Sequence, residues 1–152
     1  MYLKLNIEES SEYNDVTITI KCPLVDDELQ KLIEQLRLYG FALQCRKDQN
    51  TYYIKPDEIF YVESVDDKTY VYCSNDVYRS DMRLFSIEEK LPSTVFVRIR
   101  KNCILNINYI KSFKSKMNGK IEALLENDER VEIARHYVSY LKDKLNATEG
   151  QK

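Results

Sequence analysis

Residues 95–110 read VFVRIRKNCILNINYI, and this stretch decides the fold that we expect. Every second side chain from Val95 to Ile99 is β-branched and apolar, which is typical of a β-strand with a buried face. The run Arg100-Lys101-Asn102 then interrupts the pattern with three consecutive polar donors, and a second apolar run begins at Cys103. A polar break between two buried strands predicts an exposed turn that offers hydrogen-bond donors.

The regions on both sides of this stretch carry further strand patterns, rich in β-branched residues and tyrosine. The predicted strands are Tyr52–Ile54, Ile59–Ser64, Thr69–Ser74, Val77–Ser80, Val95–Ile99, Cys103–Asn106, Ile110–Ser115, Lys120–Leu125 and Arg130–Ala134. Asn118-Gly119 is the strongest hairpin signal between them. Short helices are predicted at Asp81–Leu91 and His136–Leu145. The pattern therefore predicts a mainly β domain with short helices.

The first 48 residues read differently, as a small α/β unit. Leu3–Ile7 and Val16–Ile20 alternate like strands, whereas apolar residues between Val25 and Tyr39 recur at helical spacing. We expect residues 1–48 to form a dimerisation or partner-docking unit, and packing of this segment on its own chain is the alternative. Residues 49–147 then form the second domain, and residues 148–152 a frayed tail.

Composition limits the function classes. The chain has 152 residues, a net charge of −2 and 43% hydrophobic residues, which suits a globular fold and excludes a histone-like polycation. No apolar run approaches the ~18 residues of a membrane span, and the N-terminus lacks the pattern of a secretory signal. The four cysteines form no CxxC pair, so we expect buried reduced thiols in a cytoplasmic protein.

Catalytic and metal-binding patterns are missing from the sequence. His136 is the one histidine, and no nucleotide-binding or nucleophile motif occurs. The pairs Asp26-Asp27 and Asp66-Asp67 are explained by helix capping and turn formation. We therefore expect no enzyme activity, no cofactor and no metal.

Positive charge is concentrated in one block. From residue 90 to residue 121 the sequence holds eight basic residues and no acidic one. These are Lys90, Arg98, Arg100, Lys101, Lys111, Lys114, Lys116 and Lys120. Arginine, lysine and asparagine donate well to phosphates and base edges, so the block favours a nucleic-acid partner. A solvated hairpin with incidental charges is the alternative that composition leaves open.

Residues 52–145 resemble the LytTR family of bacterial DNA-binding domains in four motifs that occur in order. The motifs are IFYVES at 59–64, LFSIEEKLP at 84–92, FVRIRKNCILN at 96–106 and ARHY at 134–137. Three positions depart from the family pattern. Arg100 replaces the usual histidine, and Asn102 and Ala134 each replace a serine.

The resemblance implies a fold and a set of contacts. It implies elongated antiparallel β-sheets whose inter-strand loops, rather than a recognition helix, enter the major groove. Carried over by position, the candidates for base edges are Lys68, Thr69, Arg100, Lys101, Asn102 and Arg135. The candidates for phosphates are Arg98, Lys111, Lys114, Lys116 and Lys120. A structural ion pair is the alternative for Arg98, and plain solvent exposure is the alternative for the lysines.

The function that we expect is sequence-specific binding of double-stranded DNA by a transcriptional regulator. Residues 1–48 are too few for the phosphoacceptor receiver that often precedes this domain, so the chain resembles the short stand-alone LytTR regulators. That likeness implies a homodimer on paired repeat sites, and a small membrane protein that restrains the regulator. The main alternative is a protein-interaction or ligand-sensing module whose basic loops dock an acidic partner. A single-strand or RNA binder would need exposed stacking tyrosines.

Overall fold

The computed structural model of the protein describes residues 2–14 and 16–149. Three α-helices are present in this part of the chain: α1 (Asp27–Gly40), α2 (Leu84–Lys90) and α3 (Val138–Glu149). The strands are β1 (Leu43–Lys47), β2 (Asn50–Ile54), β3 (Tyr61–Val65), β4 (Lys68–Tyr72), β5 (Val77–Ser80), β6 (Phe96–Arg100), β7 (Cys103–Asn106), β8 (Ile110–Ser115), β9 (Ile121–Leu125) and β10 (Arg130–Ile133). Single 3₁₀ turns occupy Pro56–Glu58, Ile107–Tyr109, Met117–Gly119 and Arg135–Tyr137.

The strands form two sheets. The larger one has seven strands in the order β2-β1-β5-β4-β3-β7-β6, and the smaller one has the order β10-β9-β8. Every pairing is antiparallel. Each strand predicted from residue 52 onward is present, with ends that agree to within about two residues. The predicted mainly β, antiparallel fold is confirmed.

Strands β6 and β7 lie between the two hydrophobic cores and contribute side chains to both. Phe96 and Ile104 belong to a core that α2 covers. Val97 and Leu105, one residue further along each strand, belong to a second core that includes residues of β9, β10 and α3. Both faces of these strands are buried, which explains why residues 95–110 read as nearly continuous apolar runs.

Tight turns fix the register of the hairpins. Asp66 and Asp67 join β3 to β4 with φ angles of 51° and 63°, and Asn118 and Gly119 join β8 to β9 with φ angles of 65° and 76°. Aspartate, asparagine and glycine tolerate this left-handed region better than other residues. The predicted Asn118-Gly119 hairpin is confirmed.

The N-terminal strands are a correction. Neither Leu3–Ile7 nor Val16–Ile20 forms a strand, and both segments are exposed to solvent. A period-two pattern specifies a strand only when a partner supplies the ladder, and no described part of this chain does so. The predicted helix is present as α1, where the Asp26 side chain accepts a hydrogen bond from the Leu29 amide at 2.8 Å.

Strand β1 pairs with both β2 and β5, so residues 43–47 are part of the seven-stranded sheet. The tail predicted at 148–152 lies partly outside the described residues, and α3 reaches Glu149. The expectation of four buried thiols is confirmed for Cys45 and Cys103, whereas Cys73 is partly buried and Cys22 is exposed. None of the helices in the described ranges has the length and apolar character needed to cross a bilayer.

Candidate nucleic-acid interface

Two turns lie side by side at one end of the seven-stranded sheet. Strand β3 pairs with β7 so that Glu63 lies opposite Cys103, which brings the β3–β4 turn next to the β6–β7 turn. The Ser64 amide donates to the Asn102 carbonyl at 2.9 Å, and Asn102 Nδ2 donates back to the Ser64 carbonyl at 2.9 Å. The two hydrogen bonds fasten the β6–β7 turn to the end of β3.

Arg135 and the β8–β9 turn join the same end. The Ala134 amide donates to the Ile99 carbonyl at 2.9 Å, so Arg135 begins its 3₁₀ turn beside the end of β6. A methyl group placed on Gly119 would lie 3.3 Å from Arg135 Cγ, so the arginine side chain passes across this glycine. We call the turns at 66–67, 101–102 and 118–119, together with Arg135, the turn cluster.

Arg98 connects the β6–β7 turn to helix α2 through hydrogen bonds. Its Nε donates to Glu88 Oε2 at 2.9 Å and its Nη2 donates to Glu88 Oε1 at 3.0 Å, which ties β6 to α2. Its Nη1 donates to the Lys101 carbonyl. The hydrogen bonds to Glu88 raise the pKa of the guanidinium. The structural ion pair weighed for Arg98 is thus present, and each of the three guanidinium nitrogens donates to a protein acceptor.

Arg100 is also engaged inside the protein. Its Nη2 lies 2.5 Å from Glu63 Oε2, and its Nε is buried without a hydrogen-bond partner in the described structure. The side chain passes over Cys103, whose pKa burial raises to about 11, so this thiol is neutral at physiological pH. Arg100 therefore supports the turn from inside, although the sequence placed it among the base-edge candidates.

Lys101 differs from both arginines. It lies at the tip of the β6–β7 turn, its side chain is exposed, and its ammonium has no ion-pair partner within residues 2–14 and 16–149. Its backbone carbonyl is held by Arg98, and the next residue is held by Ser64. The turn therefore fixes the main chain at Lys101 and leaves the cation in solvent.

Of the two candidates for base-edge contacts at the β3–β4 turn, only Lys68 is exposed to solvent. Lys68 is exposed at the start of β4, but Thr69 is only 4% exposed and points into the sheet. The register Ser64↔Thr69 fixes this orientation, because adjacent strand residues face opposite sides. Thr69 is therefore corrected from a base-edge candidate to a residue of the sheet interior.

The lysines of the β8–β9 hairpin lie among acidic residues. Lys116 lies 2.7 Å from Glu122, and Lys120 lies 3.2 Å from Glu132. Lys111 lies 3.7 Å from Asp128. Lys114 is exposed and makes no ion pair with the described residues. Hydrogen bonds from Lys116 and then Arg130 lower the pKa of Glu122, so this carboxylate stays charged between two cations.

The acids that engage these cations could not be identified as their partners from the sequence. Glu88 is 10 residues from Arg98 in the chain, and Glu63 is 37 residues from Arg100. Both glutamates lie in the family motifs at 59–64 and 84–92, but no local pattern indicated their partners. Gly119 was noted as a turn former, and its contact with Arg135 had no sequence signal.

Five of the twelve tyrosines contact another aromatic ring. Tyr61 and Tyr72 stack with ring centroids 4.2 Å apart, and Phe60 and Tyr109 stack at 4.0 Å. Rings that stack on each other have one face fewer for a base, so these four make poor platforms for single-stranded nucleic acid. Among the described residues no group of three or more histidine, cysteine or acidic side chains is arranged to hold a metal ion.

Comparisons with known proteins match this geometry. A family model described as the LytTr DNA-binding domain matches residues 49–146. A solved LytTr DNA-binding domain from Bacillus cereus aligns with a TM-score of 0.66 and 24% identity, over 70% of this chain and 97% of that one. This structural likeness supports the fold.

Two kinds of curated relative differ in length. The sensory transduction protein LytT of Enterococcus faecalis is 29% identical over 104 residues, which are 68% of this chain and 43% of that protein. Several Staphylococcus aureus proteins named as uncharacterized HTH-type transcriptional regulators include one that is 24% identical over 151 residues. That match covers 95% of this chain and 99% of the relative. The chain thus spans less than half of LytT and almost all of the second relative.

Proposed function

This chain belongs to the LytTR family of DNA-binding domains, and we propose that it is a transcriptional regulator that reads a specific double-stranded sequence with its turn cluster. The observation that carries this proposal is the state of Lys101, an exposed cation with no ion-pair partner among the described residues, on a turn whose main chain is held on both sides. A fixed main chain reduces the conformational entropy lost when the side chain meets its target.

In our proposal the β6–β7 turn, which lies at the end of the seven-stranded sheet, enters the major groove, where base edges present hydrogen-bond acceptors. Lys101 at the tip of this turn donates to guanine N7 and O6. Arg135 and Lys68, which are exposed at either side of it, contact the flanking base pairs. Arg98, Arg100 and Asn102 position the turn, because each already donates to a protein acceptor.

In this proposal the β8–β9 hairpin supplies phosphate contacts, chiefly through Lys114. Lys114 is available directly, whereas Lys111, Lys116 and Lys120 each face a carboxylate in the free protein. Each of these three would have to leave its carboxylate before it met a phosphate, so we expect them to contribute less than Lys114. These contacts would orient the protein and make its affinity depend on salt. Binding of two copies to paired sites is proposed as well, and control by a small membrane protein stays a prediction.

The test is selection from a random duplex library, followed by fluorescence anisotropy on the enriched duplex and on a scrambled one at two salt concentrations. We expect one enriched motif, with binding at least about 1,000-fold tighter than to the scrambled duplex. Enrichment of no motif, together with equal weak binding to both duplexes at low salt, would contradict the proposal. The basic turns would then be assigned to an acidic protein partner, and changes at Lys101 and Arg135 would leave DNA affinity unchanged.

A further inference from the structure

The tip of the β8–β9 hairpin presents one apolar side chain beside the turn cluster, whose own residues are all polar or glycine. The Lys116 amide donates to the Lys120 carbonyl at 2.9 Å and closes the turn, so residues 117–119 protrude beyond the paired strands. Met117 is 86% exposed at this tip. Single apolar residues are common on protein surfaces, so the position of Met117 matters more than its exposure.

The charges on either side of the tip are engaged by carboxylates of the strands behind it. Lys116 Nζ lies 2.7 Å from Glu122 Oε2, and Lys120 Nζ lies 3.2 Å from Glu132 Oε1. The two glutamates lie opposite each other on β9 and β10. Residues 117–119 themselves hold no ionisable group. Lysine and arginine dominate phosphate binding, so a tip of this composition is better suited to another part of the DNA.

Arg135 connects this tip to the candidates for base contacts. A methyl group on Gly119 would lie 3.3 Å from Arg135 Cγ, 3.4 Å from its Cδ and 3.5 Å from its Nε, so the side chain runs along the glycine. Met117 is two residues from Gly119, which separates their Cα atoms by at most about 7 Å. Stacked base pairs lie about 3.4 Å apart. Met117 therefore lies within about two base-pair steps of Arg135.

We propose that Met117 recognises a thymine, with the methyl end of its side chain packed on the thymine C5-methyl group in the major groove. The thymine lies within about two base pairs of the pair that Arg135 contacts. This inference rests on the proposed function, because it names a base that the turn cluster selects. The C5-methyl is the apolar group that base pairs present in the major groove. Methionine is unbranched and flexible, so its side chain adapts to such a contact.

The contact complements those of the cations. Lysine and arginine donate to guanine N7 and O6, so Lys101 and Arg135 favour G·C pairs and give no preference for thymine. Met117 supplies that preference without a hydrogen bond, because the thymine methyl leaves water when the side chain covers it. Burial of one such group changes affinity by about three- to fivefold. The turn cluster together with Met117 then selects guanines with a thymine close by.

The experiment uses the full chain and the duplex enriched by the library selection. Each thymine of the motif is replaced in turn by 2′-deoxyuridine, which lacks only the methyl group. The unchanged chain, Met117→Ala and Met117→Leu are titrated by fluorescence anisotropy. Both variants alter a side chain that is 86% exposed, so matching thermal melts check that the fold is kept. A parallel selection with Arg135→Ala locates the base pair that the arginine contacts.

We expect one deoxyuridine replacement to weaken binding of the unchanged chain about three- to fivefold, within about two base pairs of the position that Arg135→Ala relaxes. Met117→Ala should weaken binding to the thymine duplex by a similar factor and should not distinguish thymine from deoxyuridine. Met117→Leu keeps an apolar side chain and should keep most of the discrimination. All three proteins should bind the scrambled duplex equally.

The proposal is overturned if no thymine in that window is sensitive to the replacement. It is also overturned if Met117→Ala loses affinity but still distinguishes the two bases as well as the unchanged chain does, since Met117 would then contact the sugar or the phosphate. Either result leaves the proposed function intact, because a motif has been enriched. Enrichment of no motif would contradict the proposed function, and this inference with it.

Discussion

The β6–β7 turn and the β8–β9 hairpin carry similar positive charge in the sequence, but the structure uses that charge differently. In the β6–β7 region two arginines are engaged by Glu88 and Glu63, and Lys101 at the tip has no ion-pair partner in the part of the chain that the structure describes. In the β8–β9 hairpin three of four lysines face carboxylates from β9, β10 and the loop between them. The comparison teaches that linear charge density does not tell which cation is available to a partner.

The largest expected effect separates the two regions directly. Lys101→Ala should weaken binding to the selected duplex by about 10- to 100-fold, because a good base contact is worth about 1–3 kcal/mol of discrimination. Affinity for a scrambled duplex should fall much less. The measurement is fluorescence anisotropy on both duplexes.

Lys116→Ala is the matched control, because it removes the same charge from a lysine that Glu122 already engages. We expect less than about a threefold change for this variant. If Lys116→Ala lost as much affinity as Lys101→Ala, the difference between the two regions would have no functional meaning.

The second prediction concerns the support of the turn. Arg98→Lys keeps the charge but cannot reproduce the two hydrogen bonds to Glu88 together with the one to the Lys101 carbonyl. We expect a loss of about 1–2 kcal/mol in the free energy of unfolding, since the pair is only partly buried. Affinity for the selected duplex should fall about tenfold, because the turn loses its support.

Urea denaturation measures the stability, and anisotropy on a fully folded sample measures the affinity. A phosphate contact would behave differently, since lysine serves a phosphate well as a point charge. Unchanged affinity and unchanged stability in Arg98→Lys would therefore return Arg98 to the DNA surface.

The third prediction uses the two glycines that bear on this comparison. Gly119→Ala places a methyl group 3.3 Å from Arg135 Cγ at a position with φ of 76°. We expect a loss of about 1–2 kcal/mol in stability from the left-handed backbone. Displacement of Arg135 should weaken DNA binding about fivefold.

Gly40→Ala is the control, because Gly40 ends helix α1 and a methyl group there meets nothing within 4 Å. This variant should leave DNA affinity unchanged, and it should keep or slightly raise the stability. If the two alanine variants bound DNA equally well, the contact between Gly119 and Arg135 would not position the arginine.

How much the sequence could predict follows from the range of each interaction. Strands β2 to β10 were predicted because alternation and turn residues are local signals, and Asn118-Gly119 fixed one hairpin outright. Leu3–Ile7 carries an equally clear alternation and forms no strand. A local pattern indicates which face of a segment could be buried. Whether a strand forms depends on a neighbouring strand that supplies the hydrogen bonds, and the pattern carries no information about that neighbour.

The candidate site shows the same limit. The exposed turn at Lys101 was predicted from three polar residues between two apolar runs. The positioning of Arg98 and Arg100 was not settled, because their acidic partners come from α2 and β3. Thr69 was assigned to the wrong face, because the motif gives its position in the chain, whereas the pairing register decides which way its side chain points.

The smallest expected effect lies within the β8–β9 hairpin itself. Lys114 has no acidic partner in the described structure, whereas Lys120 lies 3.2 Å from Glu132. Removing a phosphate contact reduces the slope of log affinity against log salt by about 0.9. We expect that change for Lys114→Ala and a smaller one for Lys120→Ala, because Glu132 competes with the phosphate for the second lysine. Titrations at four salt concentrations would measure both slopes. Equal reductions would mean that DNA displaces Glu132 at no cost. Ion pairs in the free protein would then not predict which lysines of this hairpin contact phosphates.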